Sequence, residues 1–186
     1  SSSKTAIAAG DTGLFVINDG KVVTIFYKEA GSSDGEDDKN PIDVADITPV
    51  SNNWKPVGTE ITVSGFEVKK GVELTLDKAV EAVAQKVLEE NPTWTRDAGS
   101  DTSDETNYTV AFKSNGAKRT AKFAFETVSE AKAITTVESA DDLKTALEDK
   151  NTDIIVTNGD ITIPSGTTVS KEIRVAKGVT VTVSGA

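Results

Sequence analysis

Residues 137–186 read VESADDLKTALEDKNTDIIVTNGDITIPSGTTVSKEIRVAKGVTVTVSGA, and this stretch decides the predicted fold. It opens with a helix signal, because Ser139 is a good N-cap and Asp142, three residues later, completes a capping box with Asp in place of Glu. The apolar positions at helical spacing are Leu143, Ala146 and Leu147. The pattern predicts a short amphipathic helix that ends near Lys150.

Short apolar runs with the composition of β-strands follow this helix. Polar and apolar residues alternate in most of them, which places the apolar side chains on one face of each strand. Glycines and the Pro164-Ser165-Gly166 segment separate the runs. The apolar positions are Ile154, Ile155, Val156, Ile161, Ile163, Ile173, Val175, Val179, Val181 and Val183. Residues 135–186 are therefore predicted to form a small unit of one capping helix and several strands.

The sequence pattern of this stretch resembles that of a known protein family. LKTAL at 143–147, IIVTNG at 154–159 and KEIRVAKGVTVTVSG at 171–185 resemble the opening of pectin-lyase-like right-handed parallel β-helices and repeats of bacterial cell-surface proteins. The resemblance implies a capping helix followed by the first coils of such a β-helix. The active-site residues of that family's lyases lie on later coils, so the resemblance implies no catalytic residue here.

Net charge and the absence of three residue types exclude or disfavour several classes of partner and site. The chain has 186 residues with a net charge of −10, which suits one or two domains and disfavours nucleic acid and anionic membranes as partners. Cys, His and Met are all absent. Their absence excludes Cys or His nucleophile–base pairs, zinc and iron–sulfur sites, and disulfides.

The same composition favours a location outside the cell. A chain without cysteine that lacks an initiator Met is typical of a processed, exported protein or an excised fragment. No stretch is long and apolar enough to span a membrane. We therefore predict an extracellular or cell-surface protein whose signal peptide has already been removed.

The N-terminal region predicts a β-hairpin. Leu14–Ile17 and Val22–Tyr27 are apolar runs on either side of the turn signal Asn18-Asp19-Gly20. The hairpin belongs either to the core of the subunit or, in part, to an interface with another subunit.

The middle of the chain predicts a β-rich lobe with one amphipathic helix, spanning residues 1–130. Apolar and polar residues alternate over residues 60–68, and the alternation shifts by one position at Ser64-Gly65. This pattern indicates one strand with a bulge. Residues 78–90 carry the strongest helix signal, capped by Thr75 or Asp77, and Asn115-Gly116 predicts a tight hairpin between strands near 108 and 125. The apolar face of the helix is predicted from Val80, Val83, Ala84, Val87 and Leu88.

Two acidic loops are candidate calcium sites. Hard oxygen ligands favour calcium over softer metals, although neither loop has the spacing of an EF-hand. The alternative for both is a solvated loop without a metal. The residues are Asp34, Glu36, Asp37 and Asp38 in the first loop, and Asp97, Asp101, Asp104 and Glu105 in the second.

Few motifs point to a ligand or a reaction. Trp54 and Trp94 would serve as stacking platforms for a sugar, or else as core or interface residues. Asp11-Thr12-Gly13 matches the triplet of aspartic proteases, but that chemistry needs a second carboxylate in a comparable setting. We interpret the triplet as a polar turn.

These observations predict a mainly β fold with minor α (α+β) and no enzymatic activity. The first function hypothesis is a structural subunit of an extracellular surface layer or fibre, a homo-oligomer or polymer that self-associates through β-strand edges. The alternative is an adhesin or carbohydrate-binding module with a glycan partner, and a third is a fragment of a polysaccharide lyase.

The residues predicted to carry self-association lie on strands at opposite ends of the chain. Such strands either pair head to tail between molecules, which propagates into a filament, or pair within one molecule. The residues are Leu14, Val16, Val22, Ile25, Val179, Val181 and Val183.

Overall fold

The computed structural model describes residues 41–184 in full, and residues 12–18 and 21–28 as two strands. The described residues are rich in β-strand and contain few helices, which confirms the predicted fold class. The strands are β1 (Thr12–Asn18), β2 (Lys21–Lys28), β3 (Ile47–Val50), β4 (Glu60–Thr62), β5 (Gly65–Lys69), β6 (Thr95–Arg96), β7 (Thr102–Ser103), β8 (Asn107–Ser114), β9 (Ala117–Ala124), β10 (Lys132–Val137), β11 (Ile154–Thr157), β12 (Ile161–Ile163), β13 (Glu172–Val175) and β14 (Val181–Val183). The helices are α1 (Leu76–Glu90), α2 (Glu126–Ser129) and α3 (Ala140–Glu148), with a 3-10 turn over Ala98–Ser100.

The chain forms two compact units. Residues 45–132 form the first, called here the middle unit, and the described residues before and after it form the second, called the coil unit. From the sequence, the N-terminal hairpin was predicted to belong to the first lobe. In the structure β1 pairs with β13, with Thr12 opposite Arg174, so the hairpin lies in the coil unit.

The middle unit packs α1 on a sheet with the strand order β4-β9-β8-β6. Helix α1 begins after the predicted cap Thr75, whose hydroxyl accepts from the Lys78 N–H, and ends before Asn91. Its inner face contacts the sheet as predicted, because Val83 and Val87 are buried in one cluster with Ile61, Val110, Phe112, Ala121 and Phe123. The predicted hairpin is β8 and β9, and both turn residues, Asn115 and Gly116, have positive φ.

The segment 60–68 differs from the prediction of one bulged strand. It forms two strands, of which β4 runs parallel to β9 while β5 runs antiparallel to β3. Ser64 lies between them, and its N–H donates to the Val50 carbonyl at 2.8 Å. Alternation shifts by one residue at the break, and Ile61, Val63, Phe66 and Val68 are all buried as the shifted pattern indicates. The sequence pattern therefore predicted the buried positions but could not show that the chain changes strand partner.

The coil unit is built from two parallel ladders. β10, β11 and β13 form the first ladder, and β12 and β14 form the second. Ile154 lies opposite Glu172 and Ile161 lies opposite Val181, so β11 with β12 makes one coil and β13 with β14 makes the next. The core between the ladders contains Ile155, Ile161, Ile163, Ile173, Val175, Val179 and Val181.

Helix α3 follows β10 and begins after the predicted N-cap Ser139. The Ser139 hydroxyl accepts from the Asp142 N–H at 3.2 Å and donates to its carboxylate at 2.7 Å. Leu143 and Ala146 are buried in the core of the coil unit. At the other end of α3 the Lys171 ammonium donates to the carbonyl oxygens of Ala146 and Asp149, which compensates the negative end of the helix dipole.

Candidate functional site

The edge of β14 that faces away from β12 is the candidate functional site. The Ile161 N–H donates to the Thr180 carbonyl and the Ser184 N–H donates to the Ile163 carbonyl, both at 3.0 Å. Backbone groups alternate in direction along a strand, so the N–H and C=O groups of Val181 and Val183 point away from β12. Among residues 12–18, 21–28 and 41–184, no strand pairs with β14 on that side. These groups therefore form an open strand edge.

The side chains of β14 divide between the core and the surface. Val179 and Val181 are buried in the coil unit, whereas Val183 is 39 % exposed and Thr182 is exposed. From the sequence, all three valines of 179–183 were predicted to carry self-association. The structure places Val179 and Val181 in the subunit's own core, because β14 pairs with β12 and not with a separate partner. Of these three valines, Val183 alone remains accessible to another molecule.

The N-terminal hairpin provides a second strand edge. β1 pairs antiparallel with both β2 and β13, whereas β2 pairs only with β1 in the part of the chain that the structure describes. Within the hairpin Phe15 lies opposite Ile25 and Ile17 lies opposite Val22. The predicted association residues Leu14, Val16, Val22 and Ile25 lie on these strands, but their side chains lie outside the described part of the structure.

The middle unit covers a comparable strand edge with side chains. The hydrogen bonds of β4 to β9 use Thr59 and Val63, so Glu60 and Thr62 direct their backbone groups outward. The Asn53 side chain accepts from the Thr62 N–H at 3.0 Å and donates to the Glu60 carbonyl at 3.2 Å. The Ser51 hydroxyl donates to the Thr62 carbonyl at 2.7 Å. A neighbouring strand would have to displace these side chains before it could add to β4.

Strand β3 of the same unit is interrupted in another way. It contains Pro49, which lies opposite Phe66 of β5 and has no N–H group. A proline in an edge strand removes a donor that an added strand would need. Strand β14 differs in composition, because Val181, Thr182 and Val183 include neither proline nor a charged residue.

The acidic residues of the second loop bind other parts of the middle unit. Asp101 forms a two-pronged ion pair with Arg96, with an Nη1–Oδ1 distance of 2.6 Å, and also accepts from the Ala111 N–H at 2.8 Å. Partial burial opposes ionisation of Asp101, but the bonds from Arg96 and Ala111 lower its pKa below the usual value. Asp97 pairs with the exposed Lys113 at 3.0 Å, which lowers the pKa of Asp97.

Asp104 has a structural role in the same loop. Its carboxylate accepts from the N–H groups of Thr106 and Asn107 at 2.8 and 2.7 Å. These bonds lower its pKa from 3.8 to about 2. Glu105 is exposed, and within the described residues no three carboxylates gather as a metal site. The first predicted calcium loop, with Asp34, Glu36, Asp37 and Asp38, lies outside the described residues.

Both tryptophans lie at the edge of the core of the middle unit. Trp94 packs against Phe112 with ring centroids 6.1 Å apart, and the Arg119 guanidinium lies 5.8 Å from the Trp94 ring centroid. Trp54 is half-buried against the same core, and its carbonyl accepts from the Asn91 side chain at 2.9 Å. Neither ring is presented as an open platform.

A groove of about 440 Å³ lies in the coil unit between α3 and the loop after β12. Leu143, Leu147 and Pro164 form its apolar surface, and Asp141, Lys144 and Glu148 are among its polar residues. None of the residues predicted from the sequence as site residues lines this groove.

Comparison of the chain with protein-family models, with curated proteins and with solved structures found no match. Among the helices of the described residues, none has the length and apolar character needed to cross a bilayer. The fold and the strand edges therefore carry the functional argument by themselves.

Proposed function

We propose that this chain is a non-enzymatic structural subunit of an extracellular assembly, a surface layer or a fibre, that self-associates through β-strand edges. The observation that carries the proposal is the contrast between β14 and β4. The outward N–H and C=O of Thr62 and the outward C=O of Glu60 are bonded to Ser51 and Asn53, whereas the outward groups of Val181 and Val183 have no partner strand among the described residues.

An open edge of this kind is a template for strand addition. Native proteins usually protect such edges with charge, proline or a covering segment. An added strand gains main-chain hydrogen bonds from the edge, and its side chains extend the apolar face beside it. Val183 would lose its exposure to water in such a contact, which adds apolar burial to the hydrogen bonds.

Two edges in one molecule allow the contact to propagate. Among the strands that the structure describes, β14 is the last of the second ladder and β2 is the last of the sheet that continues the first. A molecule that associates through one edge keeps the other free for a further copy, and repeated contacts of this kind build a fibre or a layer.

Other features support the location and the class of protein. A net charge of −10 and the absence of Cys and His suit a soluble surface outside the cell. The successive parallel coils capped by α3 support the resemblance to the opening of a right-handed parallel β-helix. The packed environments of Trp54 and Trp94 give no support to the alternative of a carbohydrate-binding module.

A charge placed on the edge tests the proposal. Val183→Lys puts an ammonium group at an accessible position of β14, and Thr162→Lys puts the same group at an exposed position of the inner strand β12. Sedimentation velocity over a concentration series measures association, negative-stain microscopy shows whether ordered assemblies form, and circular dichroism confirms that each variant is folded.

We expect the wild-type chain to associate as its concentration rises. Val183→Lys should weaken association by at least about tenfold, equivalent to about 1.4 kcal/mol, while Thr162→Lys stays close to wild type. A wild-type chain that remains monomeric at all concentrations, or two variants that associate equally well, would contradict the proposal.

A further inference from the structure

The topology of the coil unit restricts how β14 can find a partner. After β10 and α3, the chain alternates between the two ladders. β10, β11 and β13 lie in the first ladder, and β12 and β14 lie in the second. Helix α3 lies between β10 and β11 in sequence, at the point where a strand of the second ladder would otherwise come. In the first turn of the unit, α3 therefore takes the place that β12 and β14 have in the following coils.

Helix α3 also contacts β12 directly. Its Leu143 and Ala146 are buried in one cluster with Ile161 and Ile163 of β12. A helix satisfies its own backbone groups and offers no strand edge to an incoming molecule. Head-to-tail addition, in which β14 of one copy extends the β12 end of the next, is therefore blocked by α3.

On the basis of the proposed self-association, we infer that β14 pairs with β14 of a second copy, antiparallel and across a two-fold axis that passes beside Thr182. The outward groups belong to Val181 and Val183, which are placed symmetrically about Thr182. Antiparallel pairing sets Val181 opposite Val183 of the second copy as a hydrogen-bonded pair, and the reverse pair follows by symmetry. Thr182 then faces Thr182 of the second copy as a non-hydrogen-bonded pair.

The chemistry of the strand suits contact with its own copy. Residues 178–184 contain no charged side chain, so two chains that each carry a net charge of −10 can meet here without a like-charge contact. Two β-branched threonines opposite each other form a favourable cross-strand pair. The exposed Val183 comes to lie beside Val181 of the second copy and extends the apolar face there.

This contact is closed, because each copy uses the same surface. It joins two β12–β14 ladders into one four-stranded sheet and leaves β14 with no open edge. Growth beyond the dimer then requires the other edge, β2, so the dimer would be the repeating unit of the assembly.

A single cysteine in this cysteine-free chain tests the geometry. Cα atoms of a non-hydrogen-bonded antiparallel pair are about 4.5 Å apart, which lies within the range of about 4.4–6.8 Å found in disulfides. Thr182→Cys therefore places two thiols in position to form an intermolecular disulfide. Thr162→Cys is the matched control, because Thr162 is also exposed and lies opposite Thr182 on the inner strand.

Both variants are oxidised with glutathione disulfide in the full chain, and covalent dimer is followed on non-reducing gels. We expect Thr182→Cys to form dimer at least about tenfold faster than Thr162→Cys, because a bound copy presents its thiol at an effective concentration in the millimolar range. Addition of excess untagged wild-type chain should slow the reaction by competition.

The other outcomes overturn the inference and separate it from the proposed function. Equal rates for the two variants would mean random collision. Slow dimer formation by Thr182→Cys in a chain that still associates would mean that β14 accepts another strand, such as β2 of a second copy, and the proposed function would stand. A monomeric wild-type chain together with slow cross-linking would overturn both.

Discussion

Gly159 lies so close to Glu138 that a Cβ atom at residue 159 would come well within 3.0 Å of the Glu138 carbonyl oxygen. The contact joins the segment after β10 to the turn that connects β11 with β12, where the Asn158 N–H also donates to the Val137 carbonyl at 3.0 Å. Only a residue without a side chain fits at this turn of the first coil.

We expect Gly159→Ala to destabilise the coil unit by about 1–3 kcal/mol, because the methyl group meets backbone that has no room to move. Gly58→Ala is the control, since a Cβ atom at residue 58 meets nothing within 4 Å. Both tryptophans lie in the middle unit, so far-UV circular dichroism or hydrogen exchange of residues 154–163 must report the change. Equal stabilities for the two variants would show that the turn adapts.

Thr157 is a buried threonine whose hydroxyl has no hydrogen-bond partner among the described residues. Thr157→Val removes this polar atom at nearly constant volume, and we expect a gain of about 1 kcal/mol in the free energy of unfolding. Thr152→Val is the contrasting variant, because the hydroxyl of Thr152 bonds Thr135 at 2.8 Å and Asp149 at 2.7 Å. It should be destabilised. Urea melts measure the free energy of unfolding of both variants. A lower value for Thr157→Val than for wild type would contradict the prediction.

Val87 lies on the inner face of α1 and is fully buried. We expect Val87→Asp to unfold the middle unit, since an unpaired carboxylate in the apolar core costs several kcal/mol or forces the group to be neutral. Gln85→Asp introduces the same side chain at an exposed position two residues earlier and should keep the native melting curve. Tryptophan fluorescence follows this unfolding because Trp54 and Trp94 both contact the core that α1 covers.

Asp101 and Asp97 form ion pairs in different environments. The side chain of Asp101 is only 11 % exposed, and it also accepts a hydrogen bond from the Ala111 N–H. In contrast, the side chain of Lys113, the partner of Asp97, is largely exposed. We expect Asp101→Ala to cost about 1.5–3 kcal/mol, because it leaves charge-assisted hydrogen bonds unmade. Asp97→Ala should change stability little. If fluorescence-detected urea melts ranked the two variants in the reverse order, the assignment would be wrong.

Asp104 makes stability depend on pH at the acid end. Its pKa in the folded state is about 2, below the ordinary value of 3.8, so the folded state favours the ionised form. Its contribution to stability is therefore complete above the ordinary pKa and is lost as pH falls towards 2. Asp104→Ala should be less stable than wild type at pH 6, and the difference should shrink below pH 4 and be lost as the pH falls through about 2. An NMR titration of the carboxyl group that gave an ordinary pKa would refute the argument.

Signals carried by residues close together in sequence were sufficient for several elements. Helix α1 was predicted from apolar spacing and its Thr75 cap, α3 from the Ser139–Asp142 capping box, and the β8–β9 hairpin from Asn115-Gly116. In each case the residues that carry the signal, the apolar spacing and caps of the helices and the two-residue turn of the hairpin, lie within a few positions of one another.

The candidate site could be predicted only in part. The sequence indicated an uncharged strand at 179–183. It could not show that Val179 and Val181 are buried while Val183 is exposed, because this difference depends on which strand β14 pairs with. It also missed Ser51 and Asn53, the side chains that cover β4. A short polar segment before a strand carries no mark of this role, since many such segments are ordinary loops.

Local sequence patterns were enough to predict many of the buried positions, the starts of the helices and the short runs that extend as strands. The strand partners are visible only in the folded chain: β1 lies against β13, β4 and β5 join different neighbours, and α3 packs in one cluster with β12. The physical reason is that a strand's outward N–H and C=O groups are nearly the same in every sequence. The choice between available edges therefore depends on packing and on coverage by residues far away in the chain.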